Sequence, residues 1–170
     1  MNIKTILRYS FFSHLIILIC SRLHIREAEM KDYEVMFSLN KLAGNIANYA
    51  NARLKPYGLT FTQLSVLIFL ADNQDRTINQ KDISMEFDVS HATTVGIVAR
   101  MHGRSLVKVK ACESDRRITN VIITDHGKDM IVQTRKVQEE LVQLFSKCLD
   151  ETEMTNFFKL INKINQVFKT

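Results

Sequence analysis

The sequence predicts a mainly α-helical fold with one small β-hairpin, and three observations carry that prediction. Past about residue 30, apolar residues recur three and four positions apart, the period of one face of a helix. Capping residues stand at the head of these stretches, at Thr60, Asn79 and Ser90. Strand-like alternation occurs over residues 106–111 and 118–123, and one proline with five glycines among 170 residues leaves too few turn formers for a sheet-rich fold.

The first helix is expected over 33–54, where Val35, Leu39, Leu42, Ile46, Tyr49 or Ala50, and Leu54 make one stripe. Pro56 and Gly58 end it. Thr60 caps the second helix and Gln63 completes a capping box, with Leu64, Leu67, Ile68 and Ala71 facing inward. Asn79 caps the third, where Asp82 suits the positive end of the helix dipole and Ile83 and Phe87 face the core. Asp88 falls in the following turn, at a place that asks for a left-handed residue.

Ser90 caps the fourth helix. At about 100° per residue, Thr94, Ile97, Val98 and Met101 turn inward. The opposite side presents Ala92, Val95, Gly96 and Ala99, flanked by His91, Thr93 and Arg100. In the hairpin, Val107, Val109, Val121 and Ile123 share a face. Thr124 and Asp125 open one long helix, with Met130, Thr134, Val137, Leu141, Leu144 and Cys148 at near-heptad spacing. A last helix after Asp150 aligns Phe157, Leu160 or Ile161, Ile164 and Phe168.

Residues 1–29 are atypical. Lys4 and Arg8 precede Phe11, Phe12 and the run Leu15-Ile16-Ile17-Leu18-Ile19, in the manner of a secretory signal. The run is shorter than the ~20 residues of a membrane span, Ser13 and His14 interrupt it, and no small-x-small cleavage site follows. Cys20 lacks the small residue that precedes a lipoprotein cysteine. Three readings stay open: an extra helix on a dimer interface, a membrane anchor, or sequence upstream of the true start. Met30 and Met36, just before the first clean helical pattern, give the third as much weight as the others together. Residues 30–170 are expected to form a single domain, with a core over 59–124 between flanking helices over 32–55 and 125–169.

The formal charge is +5 and the pI about 9.2. Between residues 91 and 120, Arg100, Arg104, Lys108, Lys110, Arg116 and Arg117 stand against Glu113 and Asp115 alone, so most of the excess lies there. A solvated basic face is the plain explanation of any such cluster. Here the cluster sits on two short helices and their hairpin, a helix-turn-helix with a wing, which can touch a polyanionic duplex in two places. Polar readout in a major groove would come from Ser90, His91, Thr93 and Arg100. The small outward residues would meet thymine methyl groups, which points to a target rich in A·T pairs. Arg116 and Arg117 lie at the hairpin turn, where a guanidinium can enter a minor groove, and Asp115 beside them reads as an orienting partner. A surface Asp–Arg pair without further role is the alternative, worth little by itself.

Taken together, these residues resemble the MarR family of winged-helix transcription factors over about residues 60–130. The signs are Leu59-Thr60-x-x-Gln63, Asn79-Gln80-Lys81-Asp82-Ile83, Ser90-His91-Ala92-Thr93-Thr94-Val95-Gly96-Ile97-Val98-Ala99-Arg100-Met101, Leu106-Val107, Asp115-Arg116-Arg117 and Ile123-Thr124-x-x-Gly127. The flanking helices match the family's dimerisation region in placement. The resemblance implies a transcriptional regulator that binds a palindromic site in double-stranded DNA as a homodimer. It also implies that residues 91–100 form the recognition helix, that Arg117 with Arg116 reaches the minor groove, and that Asp115 braces the wing. This sequence departs from the pattern at Ala92, where proline is common, at Ser105, where glycine usually ends the recognition helix, and at His102, often an acid.

Family members commonly respond to small aromatic ligands, metals or oxidants. Cys20, Cys112 and Cys148 are odd in number and far apart, with no C-x-x-C pairing, so neither a disulfide framework nor a zinc site is expected and a reducing cytoplasm is the natural home. Cys20 is too early for an oxidant sensor, Cys112 lies on the wing, and Cys148 reads as core. His91, His102 and His126 read as belonging to three different elements without ligand spacing, so no metal or other cofactor is expected. A pocket lined by Tyr33, Tyr49 and Tyr57 stays open as the place for a small-molecule effector.

Enzymatic function finds little support, because there is no phosphate-cradling glycine loop, no G-x-S-x-G and no convincing acid pair in a pocket-forming context. The other rival is a winged-helix module for protein contact, held at a membrane by residues 9–20, and two arginines at the tip argue against it. The flanking helices carry more apolar stripe than the small core can cover, which favours a second copy over packing within one chain.

Overall fold

A computed structural model describes residues 27–112 and 115–168. The chain divides into two compact units, Met1–Asn45 and Ile46–Thr170. The apolar run near the N-terminus, with its three readings, lies outside the described residues.

In the first unit the described residues belong to helix α1, Glu27–Leu54, whose last residues enter the second unit. It starts six residues before the expected Tyr33, because Glu27, Ala28 and Glu29 form helix well without adding apolar periodicity. Along the stripe expected of α1, Val35, Leu39 and Leu42 are exposed, whereas Ala50 and Leu54 are buried.

The second unit continues with a 3-10 turn at Lys55–Tyr57, then α2 Phe61–Asp72, α3 Gln80–Glu86, α4 His91–Gly103, β1 Val107–Ala111, β2 Thr119–Ile123, α5 Asp125–Gln133, α6 Arg135–Ser146 and α7 Glu151–Val167. Capping boxes open α2 at Thr60 with Gln63, α3 at Asn79 with Asp82, and α7 at Asp150 with Glu153. Helix α2 is covered on more than the predicted face: Val66 and Leu70 are buried as well as Leu64 and Leu67. It is the central post of the core, with Ile83, Ile97, Val98, Met101, Leu106, Val107, Val121 and Met130 in the same buried cluster. Emptying one such site, as in Leu67→Ala, costs ~2–5 kcal/mol.

Three helical segments end the same way. Gly58 (φ 65°), Asp88 (φ 47°) and Ser105 (φ 56°) are left-handed. The apolar residue after each sends its N–H back five positions, Leu59 to Leu54, Val89 to Ser84 and Leu106 to Met101, at 3.3, 3.1 and 3.0 Å. Around Gly58 and Ser105 a second bond, Gly58 to Lys55 and Ser105 to His102, completes the reverse-turn cap that satisfies final carbonyls.

The strands pair antiparallel with Val107 opposite Ile123 and Val109 opposite Val121. Val107, Val121 and Ile123 are buried on the predicted face, while Val109, nearer the tip, is 36% exposed. Asn79 bridges Asn120, and Val121 N–H donates to Ile78 C=O at 2.8 Å, so the entry to α3 anchors the base of the wing.

The long helix expected after Thr124 is two helices. They meet at Thr134, which has φ −92° and ψ 6° and is fully buried. Its hydroxyl donates to the carbonyls of Met130 (2.8 Å) and Ile131 (3.2 Å), and Gln138 Nε2 adds a third bond to Ile131 at 3.0 Å. Back-bonding hydroxyls of this kind bend helices. Beyond the break only Val137 of α6 is buried. Leu144 and Cys148, expected in the core stripe, are exposed, and the Cys148 thiol donates to Leu144 C=O at 3.2 Å. No residue of α7 is buried, and Phe158, Leu160, Ile164, Val167 and Phe168 are exposed. Among the described residues no single helix is long and apolar enough to cross a membrane.

Candidate nucleic-acid interface

Helix α4 is held from both ends and from behind. At its start the Ser90 hydroxyl accepts the Thr93 N–H at 3.1 Å and shares a second hydrogen bond with the Thr93 hydroxyl at 2.8 Å. Thr94, Ile97, Val98 and Met101 are buried, as their spacing predicts. The Thr94 hydroxyl is buried without a hydrogen-bond partner. His91, Ala92, Thr93, Val95, Ala99 and Arg100 are exposed and Gly96 is half-buried, so the predicted recognition residues share one open side.

At the far end, Arg104 leaves the set of cations available to an anion. Its guanidinium donates to the carbonyl of Gly58 and, at 3.1 Å, to that of Tyr57. Gly58 suits its left-handed backbone, and a Cβ there would stand 2.8 Å from Arg104 Nη2 and push the guanidinium aside. The partner lies 47 residues away in sequence, and no local signal reveals it. His102 Nδ1 donates to Val107 C=O at 3.1 Å and ties the helix end to β1. His91 and His102 therefore stand at opposite ends of one helix rather than on separate elements. Eleven residues of helix put about 16 Å between them, too far to share an ion.

The wing projects from this base. Lys108 and Lys110 are exposed on β1, opposite Ile122 and Asn120. At the turn, Asp115 C=O accepts the Ile118 N–H at 2.9 Å. Its carboxylate receives Arg117 three times: Oδ1 from the backbone N–H at 3.0 Å and from Nε at 3.1 Å, and Oδ2 from Nη2 at 3.2 Å. The Arg117 side chain hydrogen bond, then its backbone N–H, hold the Asp115 carboxyl below its ordinary value. The Arg117 side chain is 91% exposed, so the pair is a fork held in solvent. Arg116 is exposed beside it.

Thr124 and Gly127 lock the wing to α5. The Thr124 hydroxyl donates to Ser105 and Leu106 carbonyls at 2.7 and 2.9 Å and accepts the Gly127 N–H at 3.0 Å. A Cβ on Gly127 would lie 2.3 Å from Leu106 O, which explains the glycine in the Ile123-Thr124-x-x-Gly127 motif.

The tyrosines suggested as pocket lining take separate roles. Tyr49 lies under the Arg53 guanidinium, 3.4 Å from the ring centroid, and Arg53 pairs with Glu140 at 3.0 Å. Tyr57 packs on the core, and Tyr33 is exposed in the first unit.

A buried three-helix core, a capped helix with one open side and a hairpin ending in cations define a winged helix-turn-helix. Residues 57–118 match the model of the MarR family. Among curated relatives, the HTH-type transcriptional regulator BilQ of Clostridioides difficile is 24% identical over 126 residues, 74% of this chain and 84% of that one. The same fold occurs in the MepR–DNA complex of Staphylococcus aureus (TM-score 0.71, 17% identity, 78% of this chain and 96% of that one). It occurs again in Bordetella bronchiseptica BpsR, whose DNA binding is regulated by 6-hydroxynicotinic acid (TM-score 0.69, 22% identity, 77% and 92% covered).

Proposed function

We propose that this chain is a transcriptional regulator that binds a palindromic site in double-stranded DNA as a homodimer. Helix α4 enters the major groove with Ser90, His91, Ala92, Thr93, Val95, Gly96 and Arg100. Arg116 and Arg117 reach the adjacent minor groove, with Asp115 holding Arg117. The observation that carries this reading is the Asp115–Arg117 fork, a guanidinium fixed in direction yet almost wholly in solvent. A tip that served only the hairpin's own stability would gain little from such a pair.

Residues 30–170 act as one domain, with the core over 59–124 and dimerisation helices over 32–55 and 125–169. The exposed apolar residues of α7 supply a face for the second copy. A small-molecule effector modulates binding, in keeping with BpsR, and no catalysis is involved. A cytoplasmic location is in keeping with this reading and with three widely spaced cysteines that suggest no disulfide framework.

The test is the salt dependence of duplex affinity. Several phosphate contacts make log K fall linearly with log salt, with a slope of about −0.9 per neutralised phosphate. Affinity indifferent to salt would instead favour the winged-helix module for protein contact.

A further inference from the structure

We infer that Arg100 is the residue that reads sequence in the major groove, that it reads a guanine, and that Gly96 is its seat. The inference rests on the DNA-binding reading and adds the base that the recognition helix selects. Long side chains on a helix lean toward its N-terminus and cover the turn before their own Cα. Arg100 does so: a Cβ built on Gly96, one turn earlier, would stand 3.5 Å from Arg100 Nη1. The Arg100 side chain thus folds back over Gly96 on the open side of the helix, where a Cβ would be in ordinary contact with it and a longer side chain would displace it.

The neighbours leave this role to Arg100. Ala92, Val95 and Ala99 carry no donor. Ser90 and Thr93 engage their hydroxyls with each other and with the helix start. Arg104, the other arginine near this helix, is turned to the carbonyls of Tyr57 and Gly58. His91 stands at the first position of the helix, at its edge. A guanidinium lying over Gly96 beside an otherwise apolar face has one strong match among base edges, the paired O6 and N7 acceptors of guanine. The site this protein selects is then rich in A·T pairs, where the small apolar residues meet thymine methyls, with one fixed G·C pair in each half.

Selection of duplexes from a random pool by the full-length wild-type chain, Arg100→Ala and Gly96→Leu tests this. Arg100 and Gly96 lie outside the buried core, so circular dichroism is expected to show all three folded. The wild type is expected to yield one invariant G·C pair per half-site. Arg100→Ala is expected to lose about ten-fold or more of the preference at that pair alone. Gly96→Leu, which lifts the guanidinium off the helix, weakens the same preference. If Arg100→Ala lowers affinity for all sequences equally and flattens the salt slope by about one phosphate, Arg100 is a backbone contact and the inference fails. A consensus without a fixed G·C pair also overturns it while leaving the DNA-binding reading intact. No binding to any duplex would overturn both.

Discussion

Arg104 Nη2 donates to the backbone carbonyl of Tyr57 at 3.1 Å, so the residue that closes the recognition helix also caps the 3-10 turn that follows α1. The carbonyls at a helix C-terminus carry partial negative charge, and a cation there is favourable. Arg104→Met keeps the length of the stem and removes that charge. It is expected to lower stability by about 1 kcal/mol in urea unfolding. Because Arg104 is committed to carbonyls, the variant should keep the wild-type salt slope for duplex binding. A slope reduced by about one would show that Arg104 neutralises a phosphate.

Arg117→Ala should behave in the opposite way. The side chain is almost wholly in solvent, so thermal stability is expected to stay within about 0.5 kcal/mol of wild type. Duplex affinity should fall at least about ten-fold, measured by fluorescence anisotropy at fixed salt. Asp115→Asn, which leaves Arg117 in place but unheld, should fall between the two.

The pH dependence of that fork has a definite sign. Arg117 depresses the Asp115 carboxyl in the folded chain, below the 3.8 of a free aspartate. The unfolded chain therefore binds this proton more readily, and the pair's contribution is fully present above pH 3.8. It is lost only as acidity rises through the lower folded value. Carboxyl chemical shifts should place the Asp115 midpoint below 3.8, and in Arg117→Ala the midpoint should move up toward it. Wing geometry is thus expected to be constant across neutral pH.

Ser105 bears a backbone angle that favours glycine, φ 56°, inside a cap that is otherwise complete. A side chain in that region costs roughly 1–2 kcal/mol, offset in Gly by a more flexible unfolded chain. Ser105→Gly should therefore raise stability by about 1 kcal/mol, read as a shift of the urea midpoint with unchanged m. A neutral or destabilising result would mean that the Ser105 hydroxyl makes a compensating contact.

What could be read from the sequence was local. The caps at Thr60, Asn79 and Ser90, the left-handed residues Asp88 and Ser105, and the inward set Thr94, Ile97, Val98 and Met101 each follow from a few neighbouring residues. The break at Thr134 did not show, because the apolar period runs through it unchanged while its cause is one buried hydroxyl. Cys148 read as core for the same reason, since a stripe does not reveal where its helix leaves the protein. Arg104 was counted with the surface cations because its partners, Tyr57 and Gly58, are distant in sequence. The seat of Arg100 on Gly96 was within reach, since four-residue spacing on a helix makes neighbours.

Gly127 and Gly103 turn one substitution into a test of the packing around the wing. Both lie in helices, and replacing helical glycine by alanine gains up to about 1 kcal/mol where there is room. At Gly103, in the last turn of α4, a Cβ would meet nothing within 4 Å, so Gly103→Ala should stabilise by about that amount. At Gly127 the same Cβ would lie 2.3 Å from Leu106 O, 2.9 Å from Ile123 Cγ1 and 3.2 Å from Leu67 Cδ2. The nearest atom is backbone, and its carbonyl also accepts the Thr124 hydroxyl and the Thr124 N–H, so it is poorly free to retreat. Separating α5 from the base of the wing would then outweigh the helix gain, and Gly127→Ala should cost ~1–3 kcal/mol, the range of an overpacked core. Urea unfolding of the two variants side by side is expected to give opposite signs. Equal effects would mean that α5 does not press on the Leu106 carbonyl as closely as the Thr124 bonds require.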